Sequence, residues 1–238
     1  MKKIILLFAL FVAGQSIASE RPDHSILDRV LNEFVSSTGK VDYKGMKRKI
    51  DTLDKYLIQL RNIAPASDWS KNERKAYYIN AYNAYTLKFV LVKYPVNSVK
   101  DISFSGKDIW HTRLVKLGSK TYTLQQVEDD LLRSMGDPRI HFAINCASYS
   151  CPRLWNHAYT EDNVSSRMTR LTKQYINNEK HNIITPKKIK ISKLFDWYKE
   201  DFVKDGQTLI DFLNKYSEVK IQPDAKIEYL PYNWSLNE

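Results

Sequence analysis

Residues 137–152 read DPRIHFAINCASYSCP and bring His141 together with the chain's two cysteines, Cys146 and Cys151, among otherwise apolar and small side chains. Gly136-Asp137-Pro138 signals a turn. Beyond it Ile140, Phe142 and Ile144 alternate with His141 and Asn145, so a period-two reading predicts a short strand over 139–145 with one polar face. The small and hydroxylated residues Cys146 to Ser150 then predict a tight loop whose backbone N–H groups face a bound oxyanion. Any chemistry of this chain is expected to run through that strand and loop.

Moving outward, the N-terminus has the three parts of a secretory leader. Lys2-Lys3 precede the apolar run IILLFALFVAG, and small residues follow at Ser16 to Ala18. The run is shorter than the ~20 residues that span a bilayer, and later segments are shorter still, so no transmembrane segment is expected. The reading is a signal peptide at 1–18 and a periplasmic or secreted protein. In an oxidising compartment an even cysteine count makes a Cys146–Cys151 disulfide the default. The formal charge is +10, but Lys and Arg are interleaved with Asp and Glu. The one basic run, Lys187 to Lys193, alternates like a strand with a solvated face, and no nucleic-acid partner is expected. Glycine-rich phosphate loops and GxSxG are absent, and no cofactor is expected.

Apolar spacing predicts helices over 24–35 and about 46–60, forming a helical extension at 19–66 ahead of a main domain at 67–238. Ser70-Lys71-Asn72-Glu73 is a capping box opening a helix that Pro95 ends. Glu73, Ala76, Asn80, Asn83, Leu87 and Leu91 share a stripe of that helix, which points two asparagines inward. A buried amide left unpaired costs about 1–3 kcal/mol per group, so Asn80 and Asn83 either tie the helix to neighbouring backbone or belong to a site. Glu73 is explained by its cap; alternatively its carboxylate orients a histidine. A hairpin is predicted over 112–122, a helix from a second capping box at Thr123, a helix after Thr160, two short strands around Pro186 and helical segments near 195–202 and 208–216. The aromatic tail from Tyr229 to Leu236 is expected to dock.

Three separated motifs carry a family resemblance: HFAINCASYSCP, AYYINAYNA at 76–84 and PYNWSLN at 231–237. In this order they resemble the DUF547 family, a domain of unknown function, over roughly Trp69 to the C-terminus. The resemblance implies one domain and no reaction. The elements predict an α+β fold: a small, mainly antiparallel sheet packed on a long central helix with further helices, similar in outline to the papain and transglutaminase arrangement. This chain departs from that arrangement by offering Glu73, not a cysteine, at the helix start.

Three functions follow from the residues. The first is an exported thiol hydrolase or acyltransferase acting on a small-molecule or peptide substrate, with Cys146 as nucleophile and His141 as base. Glu73 or Asn80 would orient the imidazole, Asn80 and Asn83 would contribute to substrate binding, and Ser148 would do so as an oxyanion donor. On an unbroken strand His141 and Cys146 face opposite sides, so this requires the strand to end by Asn145. The second is a non-catalytic binding domain with a Cys146–Cys151 bridge. The third is a zinc domain using His141, Cys146, Cys151 and His157, whose spacing is not that of a standard finger.

Overall fold

The computed structural model describes residues 18–238, and the signal peptide expected at 1–18 lies outside them except for Ala18. Three helices lead: α1 (Ser25–Phe34), α2 (Tyr43–Arg48) and α3 (Ile50–Asn62). Helix α1 buries Leu27, Val30, Leu31 and Phe34 as its spacing predicts, whereas the single helix expected over about 46–60 is interrupted at Lys49, leaving Met46 buried in α2 and Leu53, Tyr56, Leu57 and Leu60 in α3. They share one hydrophobic core with the rest of the chain. Helix α4 (Lys71–Lys93) begins at the expected capping box, with Ser70 Oγ accepting from Glu73 N–H and the Glu73 carboxylate accepting from Ser70 N–H. It packs against α2 and α3 on one side and against α6 (Val164–Ile176) on another. Being covered on several faces, it buries polar residues as well as apolar ones: Lys75, Asn80, Asn83 and Thr86 all lie inside.

The strands form three small sheets. Two are hairpins: β1 (Ser103–Phe104) with β2 (Lys107–Asp108), and β3 (Val115–Leu117) with β4 (Lys120–Tyr122). The third orders β5 (Ile183–Ile184), β6 (Lys188–Ser192) and β7 (Lys226–Leu230), with β5–β6 antiparallel and β6–β7 parallel. The basic run lies in β6, where Lys188 pairs with Glu228 across the parallel ladder at 3.0 Å. Short helices α5 (Leu124–Gln126), α7 (Leu194–Trp197), α8 (Lys199–Phe202) and α9 (Leu209–Asn214) complete a mixed α+β fold.

The fold departs from the sequence reading at the stretch that opened it. Residues Pro138–Phe142 form a 3-10 helix and not a strand. The sequence favours this helix locally: the Asp137 side chain caps it by accepting from Arg139 N–H, and Pro138 sits in its first turn, where its missing N–H costs nothing. Period-two alternation here coincides with a one-turn helix whose Ile140, His141 and Phe142 are all buried. The His141 and Cys146 side chains are therefore not held to opposite faces of a strand.

Candidate functional site

The segment after the 3-10 helix is fixed from two sides. Asn83 on α4 reads its backbone, its amide donating to Ala143 O at 3.0 Å and its carbonyl accepting from Asn145 N–H at 2.8 Å. Asn145 in turn accepts from Ala147 N–H and donates to Pro152 O. These bonds hold Ala147 at a φ of 65°, a left-handed conformation that costs a residue with a Cβ about 1 kcal/mol. From the other side the C-terminal tail straps the loop: Tyr149 N–H donates to Ser235 O, Ser150 N–H to Asn233 O and Asn237 N–H to Ala147 O. A turn of helical extension supports the loop's far end, where Gly39, at φ 88°, lies so close to Arg153 that a Cβ would come within 2.5 Å of it.

The outcome is a cavity of about 340 Å³ whose wall contains both Cys146 and His141. Both cysteines are free thiols. Cys146 Sγ lies 3.0 Å from Ser148 Oγ and 3.5 Å from Tyr232 OH, and Cys146 N–H donates to Cys151 Sγ at 3.0 Å. These surroundings favour the Cys146 thiolate. The hydrogen bond from the Cys151 thiol lowers its pKa most, burial opposes that shift, and the Ser148 and Tyr232 hydroxyls lower it further. Cys151 moves the other way, pushed up first by burial and then by its neighbour. Burial likewise raises Tyr232, which keeps its phenol a donor to sulfur.

His141 is 2 % exposed and stacks on Tyr198 with ring centroids 4.1 Å apart. Its Nε2 meets Asp201 Oδ2 at 2.7 Å, and its Nδ1 faces Glu128 Oε1 at 3.9 Å. Asp201, on α8, also accepts from Arg133 Nε at 2.6 Å. Burial alone would raise the Asp201 pKa, but the bonds from His141 and Arg133 outweigh it and hold the carboxyl well below the usual range. Glu128 belongs to a single π-helical turn, Val127–Leu132, a distortion often found at functional sites. It is buried on the cavity wall, and burial raises its pKa, partly offset by His141 and Tyr198. The cavity thus joins a thiol favoured as thiolate, an imidazole held by a carboxylate and a carboxyl whose pKa burial raises, beneath the rings of Trp197, Tyr232 and Trp234.

The sequence-based candidates divide accordingly. Cys146, His141 and Ser148 come together. Asn83 supports the backbone next to them. Glu73 does not orient His141: its carboxylate is taken by Arg21 at 2.8 Å and by Ser70 N–H, and Asp201 occupies the role proposed for it. Asn80 is equally committed elsewhere, donating to Tyr159 O at 2.8 Å and accepting from Tyr159 N–H at 2.9 Å. The zinc set is not assembled, since His157 bonds Asp28 and Asn32 on α1. Among the described residues no group of three or more His, Cys, Asp or Glu side chains is placed to hold a metal ion, and no helix is long and apolar enough to cross a membrane. The sequence reading missed Asp201, Glu128, Arg133 and Tyr232. Tyr232 was accessible through the quoted tail motif, and Glu128 as an acid among Leu124, Val127 and Leu132 on a buried face; Asp201, sixty residues from His141, carries no local signal.

Fold and cavity define an α+β protein with a thiol–imidazole pocket. The family model described as a protein of unknown function, DUF547, matches residues 66–176, and over that segment the chain is similar to the family. The matched segment contains α4, the π-helical turn and the thiol loop, while the tail that supplies Tyr232 lies beyond it. No curated protein and no solved structure matches the chain.

Proposed function

We propose that this chain is a thiol-dependent acyl-transfer enzyme, a hydrolase or acyltransferase that works outside the cytoplasm on a small-molecule or peptide acyl group. The observation that carries the reading is Cys146 Sγ on a cavity wall, bonded by Ser148 and Tyr232 and favoured as thiolate. In this reading the thiolate attacks a carbonyl carbon directly. Its closest polar contacts include Ser148 and Tyr232 in place of an imidazole, so the thiol is activated by donors already in position. His141, its Nε2 fixed on Asp201, and Glu128 beyond its Nδ1 form a proton relay for the leaving group. The 3.9 Å gap between Nδ1 and Glu128 is the span that a substrate atom or a water bridges. The finer architecture that suits this chemistry is papain- or transglutaminase-like, with α4 as the central helix.

The test is a pre-steady-state burst with an activated ester such as p-nitrophenyl acetate, followed by mass mapping of the acyl group. The expected result is one acyl group on Cys146, a burst absent in Cys146→Ala, and a slowed deacylation in Asp201→Asn with the pH profile displaced. Acylation that persists in Cys146→Ala rules the reading out.

A further inference from the structure

The nucleophile has a second thiol beside it, and donating a hydrogen bond to the thiolate, as the Ser148 and Tyr232 hydroxyls can also do, does not by itself call for sulfur. Cys151 is 8 % exposed and lines the same cavity, and its Sγ accepts the backbone N–H of Cys146 at 3.0 Å. The chain is shaped to bring it there: Cys151 N–H donates to Ser148 O at 3.1 Å, closing a turn that folds residue 151 back over residue 146, and the left-handed Ala147 reverses the chain between them. Asn145, Asn233 and Asn237 hold this loop, so the approach of the two sulfurs is a property of the bonded frame. A structural cysteine in a dry core needs no such frame, and as a hydrogen-bond donor to the thiolate a hydroxyl would serve as well as a thiol. The arrangement has the form of an oxidisable thiol with a resolving partner: one residue half-buried on the cavity wall and favoured as thiolate, the other buried and kept as neutral thiol.

We infer that Cys146 and Cys151 form a reversible peroxide-sensitive pair, in which Cys146 is oxidised and Cys151 resolves it to an intramolecular disulfide. The Cys146 thiolate attacks one oxygen of a hydroperoxide, breaking the O–O bond; Cys146 becomes a sulfenic acid and the peroxide leaves as hydroxide or alkoxide, which takes up a proton. The Cys151 sulfur then attacks the sulfenic sulfur, losing its proton as the S–S bond forms and water departs. The pair has given two electrons to the peroxide. The bond removes the nucleophile while it lasts and keeps Cys146 from the irreversible sulfinic and sulfonic states, and an external thiol restores both groups. The inference rests on the proposed reactivity of Cys146 and on no particular acyl substrate.

The experiment treats the native protein with hydrogen peroxide, quenches remaining thiols with an alkylating reagent and digests with chymotrypsin. Cleavage after the exposed Tyr149 separates the two cysteines, so a bond between them leaves two peptides joined until reductant is added. The expected result is that linked pair, with recovery of both thiols on reduction. In Cys151→Ser, and in Cys151→Ala as a second variant, dimedone should label Cys146 and over-oxidation should run at least several-fold faster than in the parent. Sulfinic or sulfonic acid on Cys146 of the parent, with Cys151 still free, overturns the inference. Alkylation without peroxide separates the two proposals: a fast-alkylating Cys146 that forms no bond removes only the peroxide pair, whereas a Cys146 that alkylates no faster than a free thiol removes the enzyme reading.

Discussion

The thiol loop and the α4 interior both bury polar side chains, and they differ in where those side chains spend their hydrogen bonds. Asn80 closes its amide on both backbone groups of Tyr159, and the partly exposed Glu73 in the helix's first turn likewise closes its carboxylate on Ser70 and Arg21. Nothing is left over for a ligand. Cys146, Glu128 and His141 instead surround an open volume, where burial raises the Glu128 pKa and neighbouring donors lower that of Cys146. Burial of a polar group therefore does not by itself mark a site here; what marks it is unspent bonding capacity beside a cavity.

The comparison breaks most visibly at Cys146. Replacing it with alanine is expected to cost at least ~10³-fold in turnover of an activated ester, while the thermal midpoint stays within a few degrees of the parent's. A stability loss with activity kept would reverse the roles of the two regions. Asn80→Ala should do the opposite, lowering stability by ~3 kcal/mol in urea titration because Tyr159 N–H and C=O lose their partner, with Cys146 alkylation unchanged.

A smaller effect comes from His24, which packs on Tyr56 and Asn80 and whose pKa burial brings down to about 4 from an ordinary 6.5. Below 6.5 the unfolded chain takes up a proton that folded His24 refuses. Its contribution is thus complete above that value and is lost as the pH falls toward 4, about 2 kcal/mol of it by pH 5. Unfolding midpoints measured from pH 7 to 4 should show this decline, and His24→Gln should flatten it; an unaltered slope would place the titration elsewhere. Smallest is Glu73→Ala, expected to cost ~1 kcal/mol as a lost capping residue and to leave activity intact, checked by melting and ester assays together. Loss of activity would return Glu73 to the site.

Much of this was legible in the residues. Helical periodicity and the Ser70 and Thr123 capping boxes located the helices, because those signals are local bonds that the chain makes with itself. The hairpin at Val115–Tyr122 and the strands around Pro186 followed for the same reason. His141 misled because alternation over five residues also fits one 3-10 turn buried all round, and its Asp137 cap and Pro138 were the better evidence. Of the site, Cys146, His141 and Ser148 could be found because they lie close together in the chain. Asp201 and Glu128 could not, since only tertiary packing brings α8 and the π-helical turn to the imidazole.

The central claim is that Cys146 is a nucleophile prepared by its neighbours, and the pH dependence of its alkylation by iodoacetamide in the native, reduced protein tests it most directly. The account predicts that Cys146 labels before Cys151 and that its rate levels off below the ~8.5 of an ordinary cysteine, with Tyr232→Phe moving the inflection upward. A rate that still climbs at that pH, or labelling of Cys151 first, would contradict it.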